Sequence, residues 1–211
     1  SGCGGGSDAP VNTGQASFTF TWPATNVDTP GLVNLRSAQS LRVEILFGTT
    51  YVDHVLVNRP ADGQSQTTIS TITGLPVGDY RFTVSVFDTV NGAGNALAEA
   101  AGVVTVAVET PAAKTLATGD ADHVMLSPRN VTLAVNGTVQ LTAFAMTPTH
   151  AILLVPVGTT FTWISDTPAV ATVDATGRVT ALTTGTATIN TTVTLGGTAY
   201  TPMSPATITV N

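Results

Sequence analysis

The stretch from Phe161 to Ala181, FTWISDTPAVATVDATGRVTA, reads as two strands, a glycine turn and a buried-type tryptophan within twenty-one residues. Phe161 and Trp163 fall on one strand face, as do Ala171 with Val173 and Val179 with Ala181. Thr162, Thr172 and Thr180 take the alternate positions. Such alternation belongs to sheets with one face on a core and one in water. Asp174 to Gly177 supplies the turn, and Gly177 is the residue that tolerates a positive φ. The stretch is therefore expected at the centre of a β-sandwich, with Trp163 as a buried anchor.

Composition extends this reading to the whole chain. The sequence has 211 residues, 43% of them hydrophobic, with mean hydropathy +0.30, enough for two cores. Forty threonines and 26 valines stand against a single lysine, and no segment keeps a helical period. The expected class is all-β, as two tandem sandwiches. Only 9% of residues are charged, so small polar and apolar side chains must cover the surface. A net charge of −6 with scattered cations offers no patch to neutralise phosphates, which argues against nucleic-acid binding. The longest apolar run, Ala151 to Val157, is too short to span a bilayer. Membrane attachment is left to the N-terminus, as a lipid on Cys3.

That N-terminus, residues 1–15, is expected to be a flexible tether holding the only cysteine. Ser1-Gly2-Cys3 ahead of a glycine run resembles the end of a bacterial lipoprotein signal, which implies a lipid on Cys3 and anchoring to the outer membrane. The other reading of Cys3 is a thiol for an intermolecular link. Both place the chain outside the cytoplasm.

A first domain is expected over residues 16–109. Phe18, Phe20 and Trp22 share one strand face, and Pro23 stops the strand. Further strands are expected over 41–47, 51–57, 66–73 and 103–108. Leu75-Pro-Val-Gly-Asp-Tyr80 entering Phe82, Val84 and Val86 resembles the tyrosine corner of fibronectin type III and related immunoglobulin-like sandwiches. The resemblance implies a buried Tyr80 whose hydroxyl bonds backbone just upstream. Residues 110–122 lack strand alternation and carry Pro111 and Gly119, which predicts a short linker between sandwiches set end to end.

The second domain is expected over residues 123–211. Asn136-Gly137 between apolar alternations predicts a hairpin. The order Trp163-x-Ser, Asp166-x-Pro, Val170-Ala-x-Val-Asp174, Gly177-x-Val-Thr-Ala181 and Gly185-Thr-Ala-Thr-Ile189 resembles the bacterial immunoglobulin-like domain of group 2. That resemblance implies a surface module that is structural or adhesive. Ala151 to Val157 departs from the family pattern as an apolar insertion. It is open to three readings: core packing, an extra edge strand, or a protruding contact loop.

No chemistry gathers in the sequence. There is no Gly-x-Ser-x-Gly elbow, and His54, His123 and His150 are isolated. Neither cofactor nor metal is expected. Asp120, Asp122 and Asp88 are weak calcium candidates, because no Asp-x-Asp-x-Asp-Gly loop accompanies them. Three non-enzymatic functions remain: a structural or adhesive module of the bacterial cell surface, a self-assembling filament or surface-layer subunit, and a glycan-binding module. The partners are correspondingly copies of the chain, other surface proteins, or glycans.

Overall fold

The computed structural model describes residues 12–25, 33–108 and 110–211. Residues 1–11 of the expected tether, Cys3 among them, lie outside the described residues, while Thr13 to Gln15 at its end already belong to the first strand. The first domain supplies β1 (Thr13–Trp22), β2 (Ser40–Phe47), β3 (Thr50–Asn58), β4 (Gln66–Pro76), β5 (Gly78–Phe87) and β6 (Ala96–Val106). Next come β7 (Ala112–Ala117), β8 (His123–Ser127), β9 (Asn130–Leu133), β10 (Thr138–Gln140), β11 (Thr142–Met146), β12 (Ile152–Leu153) and β13 (Val155–Pro156). The second domain is completed by β14 (Phe161–Ser165), β15 (Ala171–Val173), β16 (Arg178–Ala181), β17 (Gly185–Leu195), β18 (Thr198–Tyr200) and β19 (Ala206–Val210). The chain is all-β and immunoglobulin-like, with one 3₁₀ turn at Val90–Gly92 among the described residues.

The two domains are joined by a sheet, which the expectation of a linker does not anticipate. Six strands run in the order β4-β1-β7-β12-β11-β8, so β7 and β12 stitch the first domain's strands to the second's. Strand β7 lies in the segment expected to be a linker. It runs parallel to β1, pairing Ala16 with Ala112 through Phe20 with Leu116, and parallel to β12 through Leu116 with Ile152. The physical reason is coverage. The first domain's other sheet, β13-β6-β5-β2-β3, is five strands wide, whereas β1 and β4 alone make a two-stranded ribbon. A pair of strands cannot roof such a sheet, and β7, β12 and β11 complete it.

The insertion is the keystone of this arrangement. Ile152 and Leu154 belong to the first domain's core, while Leu153 and Val155 belong to the second's. In β11, Phe144 and Met146 face the first core, and Ala143 and Ala145 the second. A segment buried on both faces has no reason to alternate, as in sheets covered by helices on both sides. Of the three readings of Ala151 to Val157, core packing and added strands hold together, and a protruding loop does not. Ile152, Leu153 and Leu154 are all buried. Each such side chain contributes about 1.5–3 kcal/mol by leaving water.

Elsewhere the second domain follows its alternation. Strands β14, β17, β19 and β9 form one sheet, with β18 beside β17, and β10, β16 and β15 another. The turn at Asp174 to Gly177 joins β15 to β16, closed by Gly177 N–H to the Asp174 carbonyl at 3.0 Å. Asn136-Gly137 is also a turn, with Asn136 at φ 68°, but it joins no hairpin. β9 before it pairs with β19 and β10 after it with β16, so the chain crosses between sheets there. The strand that a hairpin would carry onward is also interrupted, because β10 and β11 are separated at Leu141, whose N–H turns to the Gly177 carbonyl at 2.9 Å.

Candidate functional site

The tyrosine corner has the geometry that anchors a strand entry. Tyr80 is buried, and its hydroxyl donates to the Pro76 carbonyl at 2.8 Å. Burial pushes its phenol above the ordinary value. Phe47 covers the ring, centroid to centroid 5.4 Å. At the opposite end of the domain, Arg59 plays an anchoring part that no sequence pattern signals. Its guanidinium donates to the carbonyls of Leu35 at 3.2 Å, Ala38 at 3.1 Å and Pro23, and it lies 5.9 Å over the Trp22 ring. Trp22 is fully buried and bonds Thr68 Oγ1 at 3.1 Å. One cation thus fastens the stretch from Leu35 to Ala38 to the end of β1, although burial lowers its proton affinity and Asp62 only partly offsets this.

Trp163 is placed otherwise than expected. It is only half-buried, packing on the margin of the second core, while Leu141, Ile189 and Ile208 fill the centre. Its ring packs on Gly177, which has φ 84° and is buried. A Cβ there would stand 2.7 Å from Trp163 Cζ2 and 2.8 Å from the Leu141 carbonyl. The glycine therefore serves twice, as the left-handed turn residue and as the place where indole meets backbone.

The calcium candidates do not converge. Asp88 accepts from the Asn95 backbone at 2.9 Å and from its side chain at 3.2 Å. Asp122 Oδ2 lies 2.7 Å from Nδ1 of the buried His123, whose ring meets that of His150 edge-on at 5.3 Å. Asp120 is exposed. Among the described residues no three His, Cys, Asp or Glu side chains gather at metal-binding distance.

What does gather residues is a cleft of about 380 Å³ where the domains meet. One wall is the outward face of β5 and β6, carrying Arg81, Thr83, Ser85 and Glu99. The other is Phe161, Trp163 and Thr176, with Thr142 and Leu153 from the shared sheet. Ser85 is paired in register with Glu99, and Glu99 Oε1 accepts the Gly158 N–H at 3.0 Å. Burial lowers the proton affinity of the Arg81 guanidinium, whose Nε bonds no described residue. Thr142 is 5% exposed and its Oγ1 is likewise unbonded. The sequence places these residues on separate strands some sixty positions apart, so only the join of the domains brings them together.

Residues 120–201 match the family model of the bacterial Ig-like domain (group 2). No curated protein sequence matches the chain. Among solved structures it is similar to a putative cell adhesion protein from Parabacteroides distasonis, at 12% identity over 74% of this chain and 42% of that one, TM-score 0.31. The fibronectin(III)-like modules of Clostridium thermocellum CbhA match at 16% identity over 96% of this chain and 90% of theirs, TM-score 0.25. The N-terminal part of the bacterial S-layer protein SbsC matches at 10% identity over 94% and 44%, TM-score 0.30. At these identities and scores nothing about ligand or partner passes to the present chain.

Proposed function

We propose that this chain is a non-enzymatic structural or adhesive unit of the bacterial cell surface. The observation that carries the proposal is the sheet buried between two cores, in which Phe144, Met146, Ile152 and Leu154 serve one domain and Ala143, Ala145, Leu153 and Val155 the other. Such a wall makes two sandwiches behave as one stiff element, suited to holding a surface at a fixed distance rather than to moving around a substrate. The group 2 match over residues 120–201 supports the same reading. Attachment through a lipid on Cys3, or a link between copies through that thiol, completes the proposal. Protease shaving of intact cells tests it: peptides of this chain are expected in the released fraction, and their retention inside shaved cells overturns the location. Labelling with a fatty-acid analogue, lost in Cys3→Ser, tests the anchor.

A second reading, pairing between copies, has its own support in β3. This nine-residue strand is bonded on one side to β2 and ends its sheet. Tyr51, Val52 and Leu56 on it are exposed, and no lysine or proline guards it. It takes over the role expected of the insertion, whose residues Ala151 to Val155 are buried. Light scattering of concentrated protein is expected to show association that Val52→Lys abolishes. A monomer at every concentration ends this reading.

A further inference from the structure

The end of the first domain at which the chain enters has an apolar surface. Strand β1 begins there, with Thr13 paired to Pro76 and the Asn12 carbonyl accepting the Val77 N–H at 3.2 Å. Two turns meet beside it, Gly48-Thr49 between β2 and β3 and Val77 between β4 and β5. Phe47 joins them, its ring 5.4 Å from that of Tyr80 and close enough to Gly78 that a Cβ there would stand 3.2 Å from Phe47 Cε2. Phe47 is 56% exposed, Tyr51 53% and Val77 48%. Neither Phe47 to Val52 nor Leu75 to Gly78 contains a charged side chain. The Tyr51 hydroxyl meets His54 Nδ1 at 2.6 Å, so its polar end is directed up β3, away from the turn. Asp79, next in the chain, accepts the Thr105 hydroxyl at 2.6 Å.

The second domain is joined elsewhere. Strand β13 meets β6 at Ala98 and Glu99, opposite Val86 and Ser85, whereas the apolar end of β5 is Gly78. The stretch from Gly78 to Ser85 places that join about 23 Å up the strand. The apolar end and the second domain thus lie at opposite ends of the first sandwich.

Size and charge decide what such an end would touch. Three half-exposed side chains offer on the order of 300 Å². A stable protein interface takes roughly 800 Å² from each partner, so neither a second copy nor another protein is held by this patch alone. A surface to which the chain is already tethered asks for much less, because a short tether keeps the patch at high effective concentration. Cys3 precedes Asn12 by a length of chain that reaches at most about 30 Å. A bilayer interface takes up aromatic and aliphatic side chains and orients tyrosine with its hydroxyl toward water, as Tyr51 stands relative to Phe47. A chain of net charge −6 is repelled by anionic lipids, which leaves a zwitterionic surface.

We propose that the apolar end of the first domain rests on a zwitterionic phospholipid surface, with Phe47 and Val77 among the headgroups and Tyr51 at the boundary, so that the joined domains stand away from the membrane. This deepens the surface-unit reading and rests on the lipid at Cys3 for its setting.

The test couples the full-length chain through Cys3 to a maleimide-bearing lipid in phosphatidylcholine vesicles with brominated acyl chains, which quench nearby tryptophans. Because the coupling is chemical, failure of natural lipidation leaves this result readable. The native chain is expected to show no quenching, since Trp22 is buried at the far end of β1 and Trp163 belongs to the second domain. Phe47→Trp, and independently Val77→Trp, are expected to be quenched, and Val77→Asp is expected to abolish the quenching of Phe47→Trp while leaving its melting curve unchanged. Ile69→Trp, on the exposed middle of β4, is expected to stay bright. Replacing phosphatidylcholine by phosphatidylglycerol is expected to weaken the effect. Bright Phe47→Trp and Val77→Trp chains overturn the proposal, as does equal quenching of Ile69→Trp, which would mean contact without orientation. Stronger quenching on phosphatidylglycerol overturns the assigned lipid. Vesicle-free association of the uncoupled, thiol-blocked chain that Val77→Asp abolishes would give the patch to a second copy and overturn it as well.

Discussion

Strands β11 and β17 belong to the same domain and obey different rules. Every residue of β11 is buried, whereas β17 alternates buried Ala187, Ile189, Thr191, Val193 and Leu195 with wetter threonines and Asn190. Strand β17 has one core behind it and water in front; β11 has a core on each side. Alternation is thus a report on how many faces of a sheet are dry, and its loss in Ala143 to Met146 and Ala151 to Val155 marks where a second core begins. The difference also divides mechanical roles, since the outer sheet stabilises one domain and the central sheet makes each domain's fold depend on the other.

The largest expected effect breaks that dependence outright. A chain ending at residue 108 keeps β1 to β6 but loses β7, β11, β12 and β13, and with them Phe144, Met146, Ile152 and Leu154 from its core. It is expected to lose cooperative folding, seen as a collapsed amide spectrum. A dispersed spectrum with a sharp melting transition would show the first domain to be self-sufficient. A smaller change, Leu154→Ala, removes a fully buried side chain and is expected to cost about 2–5 kcal/mol. Calorimetry should then show one transition shifted as a whole, and separation into two would uncouple the domains.

The two tryptophans sharpen the contrast between interior and margin. Trp22→Ala is expected to cost about 3–5 kcal/mol, and Trp163→Ala distinctly less, because its ring keeps solvent on one side. Equal losses in chemical denaturation would return Trp163 to the core. Tyr80→Phe removes only the bond to Pro76 and is expected to cost about 1 kcal/mol.

The smallest effect belongs to the outermost turn. Asp174 is held below its ordinary value of 3.8 by the Thr176 hydroxyl and the backbone N–H of Arg178, followed by the Thr176 N–H and the Arg178 charge. Its depressed folded value means that the unfolded chain binds more protons as pH falls. The stabilisation is therefore present above 3.8 and is lost as acid takes the group through its folded value. Melting curves of the native chain and Asp174→Asn are expected to differ at neutral pH and converge in acid. Parallel curves at all pH values would leave the carboxylate without a part in the turn.

The sequence by itself determined the class, the run of outer strands, the corner at Tyr80 and the turn at Gly177. Each of these depends on local chemistry: two-residue periodicity, a glycine at positive φ, a tyrosine four residues after the carbonyl it bonds. Tertiary structure alone decided the rest. Residues 110–122 show no alternation, yet β7 is a strand because the narrow β4–β1 ribbon leaves its opposite sheet uncovered. The apolar run at Ala151 is plain to read, but whether it lies inside or outside depends on a second core supplied from a hundred residues away. Trp163 lies at the margin of the second core with its ring against the buried Gly177, a contact between strands that alternation does not reveal. Arg81, Glu99 and Thr142 meet only because two sandwiches share a sheet, and such contacts between distant strands leave no period in a sequence to be read.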